Sequence, residues 1–167
     1  MASLTPEQKQ ALMAELAGLK RFGLSLTGNP ADADDLLQLT IERLLDRGMP
    51  EDAHPAKWAY RVCRNLWIDE IRSREVRSRH QQAEQASDTL QHITPGGEDS
   101  AQLEQVAKAM AGLAEEQRAA LTLVAVEGCS YAETAEILEV PIGTIMSRVA
   151  RARQALADAL GWDRDKL

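Results

Sequence analysis

The sequence of 167 residues is poor in aromatic side chains, which make up only 4% of the chain. It also has few runs rich in β-branched and aromatic residues, so a β-sandwich or β-barrel is not expected. Hydrophobic residues are 44% and charged residues 27% of the chain, which excludes disorder along its whole length. Ala and Leu abound, and both favour helices, so the predicted fold class is all-α.

Long apolar runs and cysteines are also scarce. No run of about 18 apolar residues occurs, so we expect no membrane insertion. The N-terminal stretch MASLTPEQKQ lacks the basic start and apolar core of a signal peptide. Cys63 and Cys129 are the two cysteines, and two thiols cannot build a disulfide framework. We therefore expect a reduced, cytoplasmic protein.

The sequence lacks the motifs of common enzyme sites. It contains no Gly-x-x-x-x-Gly-Lys phosphate loop. His54, His80 and His92 have no Cys or His partners at the spacing of a metal site. Ser130 and Ser147 have no nearby His that would activate a nucleophile. We therefore predict no catalytic residue, no metal and no cofactor, and we do not expect an enzyme.

Charge is distributed unevenly along the chain. The 19 Lys/Arg and 26 Asp/Glu give a formal net charge of −7, which repels nucleic acid on average. Two basic segments interrupt this acidic background. Residues 57–79 hold seven Lys/Arg against three Asp/Glu, and residues 141–155 hold three Arg and no acid. DNA binding would therefore have to use these local faces, or a partner that holds the chain on the duplex.

A polar stretch divides the chain into two parts. Residues 80–101 have no sustained apolar stripe and contain a Pro-Gly-Gly sequence that breaks helices. We predict a flexible linker there, between an N-terminal helical domain (residues 1–79) and a C-terminal domain (residues 102–167). A polar surface helix over the first half of the stretch is the alternative.

Three helices are predicted before the linker. Thr5 before Pro6 begins the first, which is expected to run to a break at residues 28–30, where Asn29 caps the next helix. The second covers about 31–47 and the third about 55–79. The apolar residues expected to face the core are Leu12, Leu16 and Leu19 on the first helix, Ala33, Leu37, Ile41 and Leu44 on the second, and Trp58, Val62, Leu66 and Ile71 on the third.

The C-terminal part predicts a helix-turn-helix. Helices are expected over about 103–112, 115–126, 131–138 and 143–160, with Ser130 capping the third of them. The last two are joined by a tight turn, and the second of them is basic. A DNA-binding helix-turn-helix has this arrangement.

The last predicted helix has two different faces. Its apolar face comprises Ile145, Val149, Ala152 and Leu156. Thr144, Ser147, Arg148 and Arg151 form another face of hydrogen-bond donors and positive charge. A helix in the major groove needs this division, because one side packs on its domain while the other meets base edges and phosphates. A surface helix with solvated arginines is the alternative.

The long basic helix is a second candidate surface. Arg61, Arg64 and Arg72 lie near one face, with Asn65 and Asp69 beside them. A cationic strip can follow a DNA strand, and an Asn amide can bond a base edge both as donor and as acceptor. Taken singly, residues of this helix also have simpler interpretations. Asp69 and Arg72 can form an i, i+3 ion pair, and Trp58 and Trp67 can pack in the core.

Residues 128–156, GCSYAETAEILEVPIGTIMSRVARARQAL, resemble region 4 of the extracytoplasmic-function (ECF) sigma factors of bacterial RNA polymerase. The match is closest over GTIMSRVARAR, the recognition helix of that family, and Leu113–Arg118 resembles the segment that precedes it. Ala114 stands where the family has proline, and Met146 where lysine is common. The resemblance implies that the −35 promoter element is contacted by Arg118, Thr144, Ser147, Arg148 and Arg151.

Residues 55–72 resemble regions 2.3 and 2.4 of the same family, and residues 31–47 resemble region 2.2. In the family, the first of these opens the −10 element and captures a flipped base near a loop that corresponds to Asp46–His54 here. The second grips the clamp helices of the largest polymerase subunit. The residues so implied are Arg61, Arg64, Asn65, Asp69 and Arg72 for the −10 element, and Asp34, Asp35, Gln38 and Arg43 for core polymerase.

Three motifs in the family's order imply a transcription initiation factor. Its partners would be core RNA polymerase, promoter DNA and a cognate anti-sigma factor, and it would need no cofactor. A stand-alone helix-turn-helix regulator that binds operators as a dimer is the alternative, but it leaves the strip from Asn65 to Arg72 and residues 34–43 without a role. A helical adaptor that binds only proteins is a third possibility.

Overall fold

A computed structural model describes residues 3–78 and 98–162. Within these ranges the chain forms α-helices, one π-helical segment and no strand, so the predicted all-α class is confirmed. The helices are α1 (Pro6–Ala14), α2 (Leu16–Thr27), α3 (Pro30–Arg47), α4 (Pro55–Ser78), α5 (Glu98–Ala111), α6 (Glu115–Leu121), α7 (Tyr131–Leu138) and α8 (Ile142–Leu160). We call α1–α4 the N-terminal half and α5–α8 the C-terminal half.

The predicted linker lies mostly outside the described residues. Its last residues, from Glu98 onward, are helical, because α5 begins earlier than predicted. The long helix α4 begins at Pro55 as expected and is described to Ser78.

Polar side chains fix where several helices begin. Thr5 Oγ1 accepts from the backbone N–H of Gln8 at 3.1 Å, and the Gln8 side chain accepts from the Thr5 N–H at 3.0 Å. Asn29 Oδ1 accepts two backbone N–H groups in the first turn of α3. Ser130 and Glu133 form the same reciprocal pair at the start of α7. These bonds satisfy amides that have no partner within the helix, and the three predicted N-caps are confirmed.

The first predicted helix is divided in two, so the prediction of one continuous helix to residue 27 is wrong. Glu15 leaves helical geometry between α1 and α2, with φ −98° and ψ 2°. On α1, Leu12 is buried, and buried Gln8 donates from Nε2 to the carbonyl of Pro50 at 3.1 Å. The break is therefore held by contacts of α1 with distant parts of the chain, and no glycine or proline at this position signals it.

The buried faces of α3 and α4 are rotated relative to the predicted stripes. The fully buried Thr40 belongs to the core of α3, because its hydroxyl donates to the carbonyl of Leu36 at 2.7 Å and needs no water. The predicted residues Leu37, Ile41, Trp58, Val62, Leu66 and Ile71 are only partly buried. The buried residues are Ala33, Leu36, Thr40 and Leu44 on α3, and Ala59, Tyr60, Cys63 and Trp67 on α4.

The C-terminal half builds the predicted helix-turn-helix from α7 and α8. The expected helix over 115–126 is α-helical only to Leu121 and continues as a π-helical segment, Thr122–Val126. Glu127 closes this segment by donating its N–H to the carbonyl of Thr122 at 2.9 Å. Helix α7 ends at Leu138 and is capped by Glu139, which has a left-handed backbone (φ 57°), and the turn leads into α8.

The two halves pack against each other, and one cluster of buried side chains runs through both. Helix α2 lies against α6 and the π-helical segment, and α4 lies against α7. Gly18 of α2 permits this approach. A Cβ atom there would overlap the hydroxyl of Tyr60 and lie 2.7 Å from Glu127 Oε1. Tyr60 is itself fixed, because its ring meets that of Phe22 edge-on with centroids 5.4 Å apart.

The replacement Gly18→Ala is expected to lower the free energy of unfolding by about 1–3 kcal/mol, because Tyr60 or Glu127 must move to make room. Alanine normally stabilises a helix relative to glycine. Gly143→Ala is the matched control, since a Cβ on that helical glycine meets nothing within 4 Å. Urea unfolding of both variants tests this. Equal effects of the two substitutions would contradict the tight contact at Gly18.

Candidate nucleic-acid interface

The inner face of α8 is the one predicted from its sequence. Ile145 and Ala152 are fully buried, and Val149 and Leu156 are no more than 6% exposed. These side chains pack α8 onto the rest of the C-terminal half, where it contacts α5, α6 and α7. The opposite side of α8 is therefore turned away from the protein.

The exposed side of α8 differs in part from the predicted donor face. Ser147 and Arg151 are exposed as expected, whereas Thr144 and Arg148 are partly buried on the flank of the helix. Arg148 Nη2 lies 4.0 Å from Glu116 Oε2 on α6. Two apolar residues that the prediction did not include, Ile142 and Met146, are exposed beside Ser147. That all four predicted residues contact DNA stays a prediction.

Arg118, implied as a −35 contact, lies in the interface between the two halves. Its Nε donates to the carbonyl of Ser25 on α2 at 2.5 Å. Its Nη1 donates to the carbonyls of Ala111 and Leu113 at 3.3 and 3.4 Å. Burial lowers the pKa of the guanidinium, and nearby Glu115 opposes this shift. In this conformation Arg118 joins the halves, and DNA contact by this residue stays a prediction.

The basic residues at the start of α4 face acidic residues of the helix-turn-helix. Lys57 Nζ lies 3.0 Å from Glu136 Oε2. Arg61 Nη2 lies 3.1 Å from Glu139 Oε1, and Arg64 Nη1 lies 3.6 Å from Glu139 Oε2. We call these three contacts the α4–α7 ion pairs. Two predicted −10 contacts, Arg61 and Arg64, are thus neutralised by carboxylates in this conformation.

The remaining predicted −10 residues continue along α4 beyond these ion pairs. Asn65, Asp69 and Arg72 are exposed. Asn65 Oδ1 accepts from Arg64 Nη1 at 3.4 Å. Of the predicted base-capturing loop Asp46–His54, the first two residues belong to α3, and residues 48–54 form the connection to α4, in which Met49 is buried. The helix therefore presents an amide, a carboxylate and a guanidinium to solvent within two turns.

A groove of about 360 Å³ lies between α3 and α4. Asp35 and Gln38, both predicted to bind polymerase, line it, while Asp34 and Arg43 do not. Asp34 instead pairs with Lys20, with 3.4 Å between Nζ and Oδ1. The groove is acidic with an apolar floor, and its other lining residues are Asp32, Leu36, Leu39, Glu42, Trp67, Glu70 and Arg74.

The described ranges show neither a metal cluster nor a reactive thiol. No group of three or more His, Cys, Asp or Glu side chains within them is arranged to hold a metal ion. Burial raises the pKa of Cys63 to about 12 and that of Cys129 to about 11, so both stay protonated at neutral pH. Every helix in the same ranges is too short or too polar to cross a membrane.

Comparison with known proteins shows the family to which this chain belongs. Residues 12–77 match the family model for Sigma-70 region 2, and residues 103–156 match that for Sigma-70, region 4. The chain is 35% identical over 163 residues to the ECF RNA polymerase sigma factor EcfG of Rhodopseudomonas palustris (strain TIE-1), covering 96% of this chain and 88% of that protein. This chain belongs to the ECF sigma factor family.

Other ECF sigma factors support the same assignment. The chain is 37% identical over 152 residues to SigM of Mycobacterium tuberculosis, covering 86% of this chain and 72% of SigM. Among solved structures, it resembles the sigma factor RpoE of Bartonella quintana, in complex with the anti-sigma factor NepR. That likeness has a TM-score of 0.82 at 29% identity and covers 95% of this chain and 99% of RpoE.

The sequence of this sigma factor did not reveal two features of its candidate DNA-binding surfaces. The carboxylates of Glu136 and Glu139 face α4 across a contact of distant segments, which local patterns cannot show. The exposure of Ile142 and Met146 does not follow from the sequence pattern. On a helical projection Ile142 lies at the edge of the apolar face and Met146 about a quarter turn from its centre, so the packing of α8 decides their exposure.

One ion pair between the halves joins a half-exposed guanidinium, which is 52% exposed, to a buried carboxylate. Arg21 donates to both carboxylate oxygens of Glu127, at 2.6 and 2.8 Å, and the Glu127 side chain is only 6% exposed. The hydrogen bond to Glu127 raises the pKa of Arg21. Lys20, the preceding residue, pairs with Asp34 where both side chains are 60% exposed.

The replacement Arg21→Gln is therefore expected to destabilise the sigma factor by about 1–3 kcal/mol, because it leaves a buried carboxylate without its charged partner. Lys20→Gln is the matched control and should change stability by less than about 1 kcal/mol, since exposed pairs contribute little. Thermal unfolding followed by circular dichroism measures both. A melting temperature that falls equally in the two variants would refute the distinction.

Proposed function

We propose that this sigma factor binds core RNA polymerase, directs it to promoters through separate −35 and −10 surfaces, and promotes melting of the −10 element. The observation that carries the proposal is the coexistence, in one ECF sigma chain, of a basic recognition helix, a polar strip on α4 and an acidic groove beside α3. A stand-alone regulator would need only the first of these.

The −35 element is assigned to the exposed side of α8. Ser147 and Arg151 can reach base edges or phosphates directly, because both side chains are exposed. Thr144 and Arg148 lie on the flank, where they are suited to phosphates at the groove edge. Arg118 can contact the −35 element only after the halves separate, because in the closed arrangement its guanidinium donates to backbone carbonyls of both halves.

The −10 element is assigned to α4. Asn65 can accept and donate to a base edge, while Arg61, Arg64 and Arg72 can neutralise phosphates along one strand. Asp69 lies beside them and can accept from an exposed base or orient a neighbouring arginine. Unpairing a base costs a few kcal/mol, so melting needs a surface that recovers this energy, and we assign that role to α4 with the loop before it.

The α3–α4 groove is assigned to core polymerase. Its carboxylates, including that of Asp35, suit a basic helical partner, and Gln38 and the half-exposed Leu39 supply polar and apolar contact. We include Asp34 and Arg43 at the margin of this surface, because they lie on α3 but outside the groove.

DNA binding at α4 requires the α4–α7 ion pairs to break. Arg61 and Arg64 cannot bind phosphates while Glu139 occupies them. The side chains in these pairs are 22–62% exposed, and exposed pairs contribute about 0–1 kcal/mol each. Phosphates can therefore replace them, aided by release of DNA counterions. We infer that the halves separate when the sigma factor engages a promoter.

The proposed role also leads to expectations about catalysis, location, domains and a regulatory partner. We propose no catalytic residue and no cofactor, since phosphodiester chemistry belongs to the polymerase. We assign the protein to the cytoplasm, where transcription takes place. Residues 1–79 and 102–167 would act as the two promoter-binding domains, with residues 80–101 as the connection. A partner like NepR, the anti-sigma factor bound to RpoE of Bartonella quintana, would be expected to control it.

Run-off transcription with purified core polymerase tests the proposal. The chain plus core should initiate at defined start points on a genomic template library, and neither component alone should do so. A gel shift of the same templates should need core, because the free chain is acidic and its α4 arginines are paired. Specific DNA binding without core, and no transcript with it, would favour a stand-alone regulator instead.

A further inference from the structure

Two exposed apolar side chains lie at the N-terminal end of the recognition helix. Ile142 is 48% and Met146 is 52% exposed, and they are four residues apart on the same side of α8. Gly143 and Ala150, also exposed on this side, have no long side chain. Met146 therefore projects beyond its neighbours towards whatever approaches this face.

The position of these residues matters more than their exposure alone, since single exposed hydrophobic residues are common on protein surfaces. In helix-turn-helix proteins the N-terminal residues of the recognition helix contact base edges in the major groove. Ile142 and Met146 occupy its first and second turns. Met13 is more exposed, at 70%, but it lies on α1, outside α8.

A methionine can recognise only one feature of the major groove well. Its side chain has no hydrogen-bond donor and only a weak acceptor, so it cannot read the amino and carbonyl groups of base edges. The one apolar group displayed there is the C5-methyl of thymine. The flexible, polarisable thioether of methionine adapts readily to such a group. A lysine at this position would instead favour guanine or phosphate.

We propose that Met146 is a specificity-determining residue that contacts a thymine methyl group in the −35 element. Ile142, one turn earlier, extends the same apolar strip. The inference rests on the proposed function, because it requires α8 to enter the major groove of a promoter. It adds a chemical preference for thymine over cytosine at one base pair, which the polar residues of α8 do not provide.

Removing one methyl group from DNA tests the proposal. Wild-type holoenzyme first selects its promoter from a library with a randomised −35 element. Each thymine of the selected element is then replaced by deoxyuridine, which lacks only the methyl group. At one position the replacement should lower holoenzyme affinity about fourfold, the effect of losing about 0.8 kcal/mol for one buried methyl group.

The variant Met146→Ala should bind the thymine and deoxyuridine promoters equally, because the contact is already lost. Met13→Ala is the matched control and should keep the full preference for thymine. Circular dichroism of each variant checks that it is folded. The same cycle with Ile142→Ala shows whether a second methyl group is read.

Three results would overturn the proposal. The first is that wild-type holoenzyme binds every deoxyuridine promoter as well as its thymine parent. The second is that Met146→Ala keeps both the methyl preference and the wild-type affinity. The third is that Met146→Ala keeps the methyl preference but loses affinity equally for both promoters, which would assign Met146 to a protein contact. All three leave promoter-directed transcription intact, whereas failure of the proposed function would abolish the selected promoter itself.

Discussion

Opposite charges meet across the contact between the two halves, and the proposed binding of DNA by this sigma factor depends on separating them. Helix α4 carries the cations expected to meet the −10 element, and Glu139 of the helix-turn-helix already pairs with two of them, Arg61 and Arg64, while Glu136 pairs with the neighbouring Lys57. The carboxylates occupy the place that phosphates would take. Because these contacts are partly exposed, they are weak enough to be exchanged, whereas the cluster of buried side chains that runs through both halves and the nearly buried carboxylate of Glu127, paired with Arg21, favour the closed arrangement.

The same contact reconciles an acidic protein with a DNA-binding role. In the closed arrangement the arginines at the start of α4 and Arg118 are engaged within the protein, while α8 keeps its outer face exposed. The free chain, with a net charge of −7, should thus have little affinity for DNA in general. Polymerase, by binding the groove beside α3, would supply affinity that the chain lacks. Promoter phosphates would then replace Glu136 and Glu139 as partners of the α4 cations.

Sequence patterns over a few neighbouring residues predicted helix starts and the inner face of α8. The features that these patterns did not predict depend on contacts between distant segments. The caps Thr5, Asn29 and Ser130 and the inner face of α8 follow from a few neighbouring residues, and the structure confirms them. The break at Glu15 and the rotated face of α3 depend on packing against other helices. Lys57 and Glu136 are 79 residues apart, so no periodic pattern could pair them. The candidate site residues were predicted from helix faces and from the family resemblance, but their present partners could be found only from the fold.

Carbodiimide cross-linking tests the central claim most directly, that the halves are closed in the free chain and separate on a promoter. Lys57 Nζ and Glu136 Oε2 are 3.0 Å apart, so a zero-length reagent can join them through an amide bond. Mass spectrometry should find this cross-link in the free protein and lose it in the complex with core polymerase and promoter DNA. Equal yields in both states, or no cross-link in the free protein, would contradict the account.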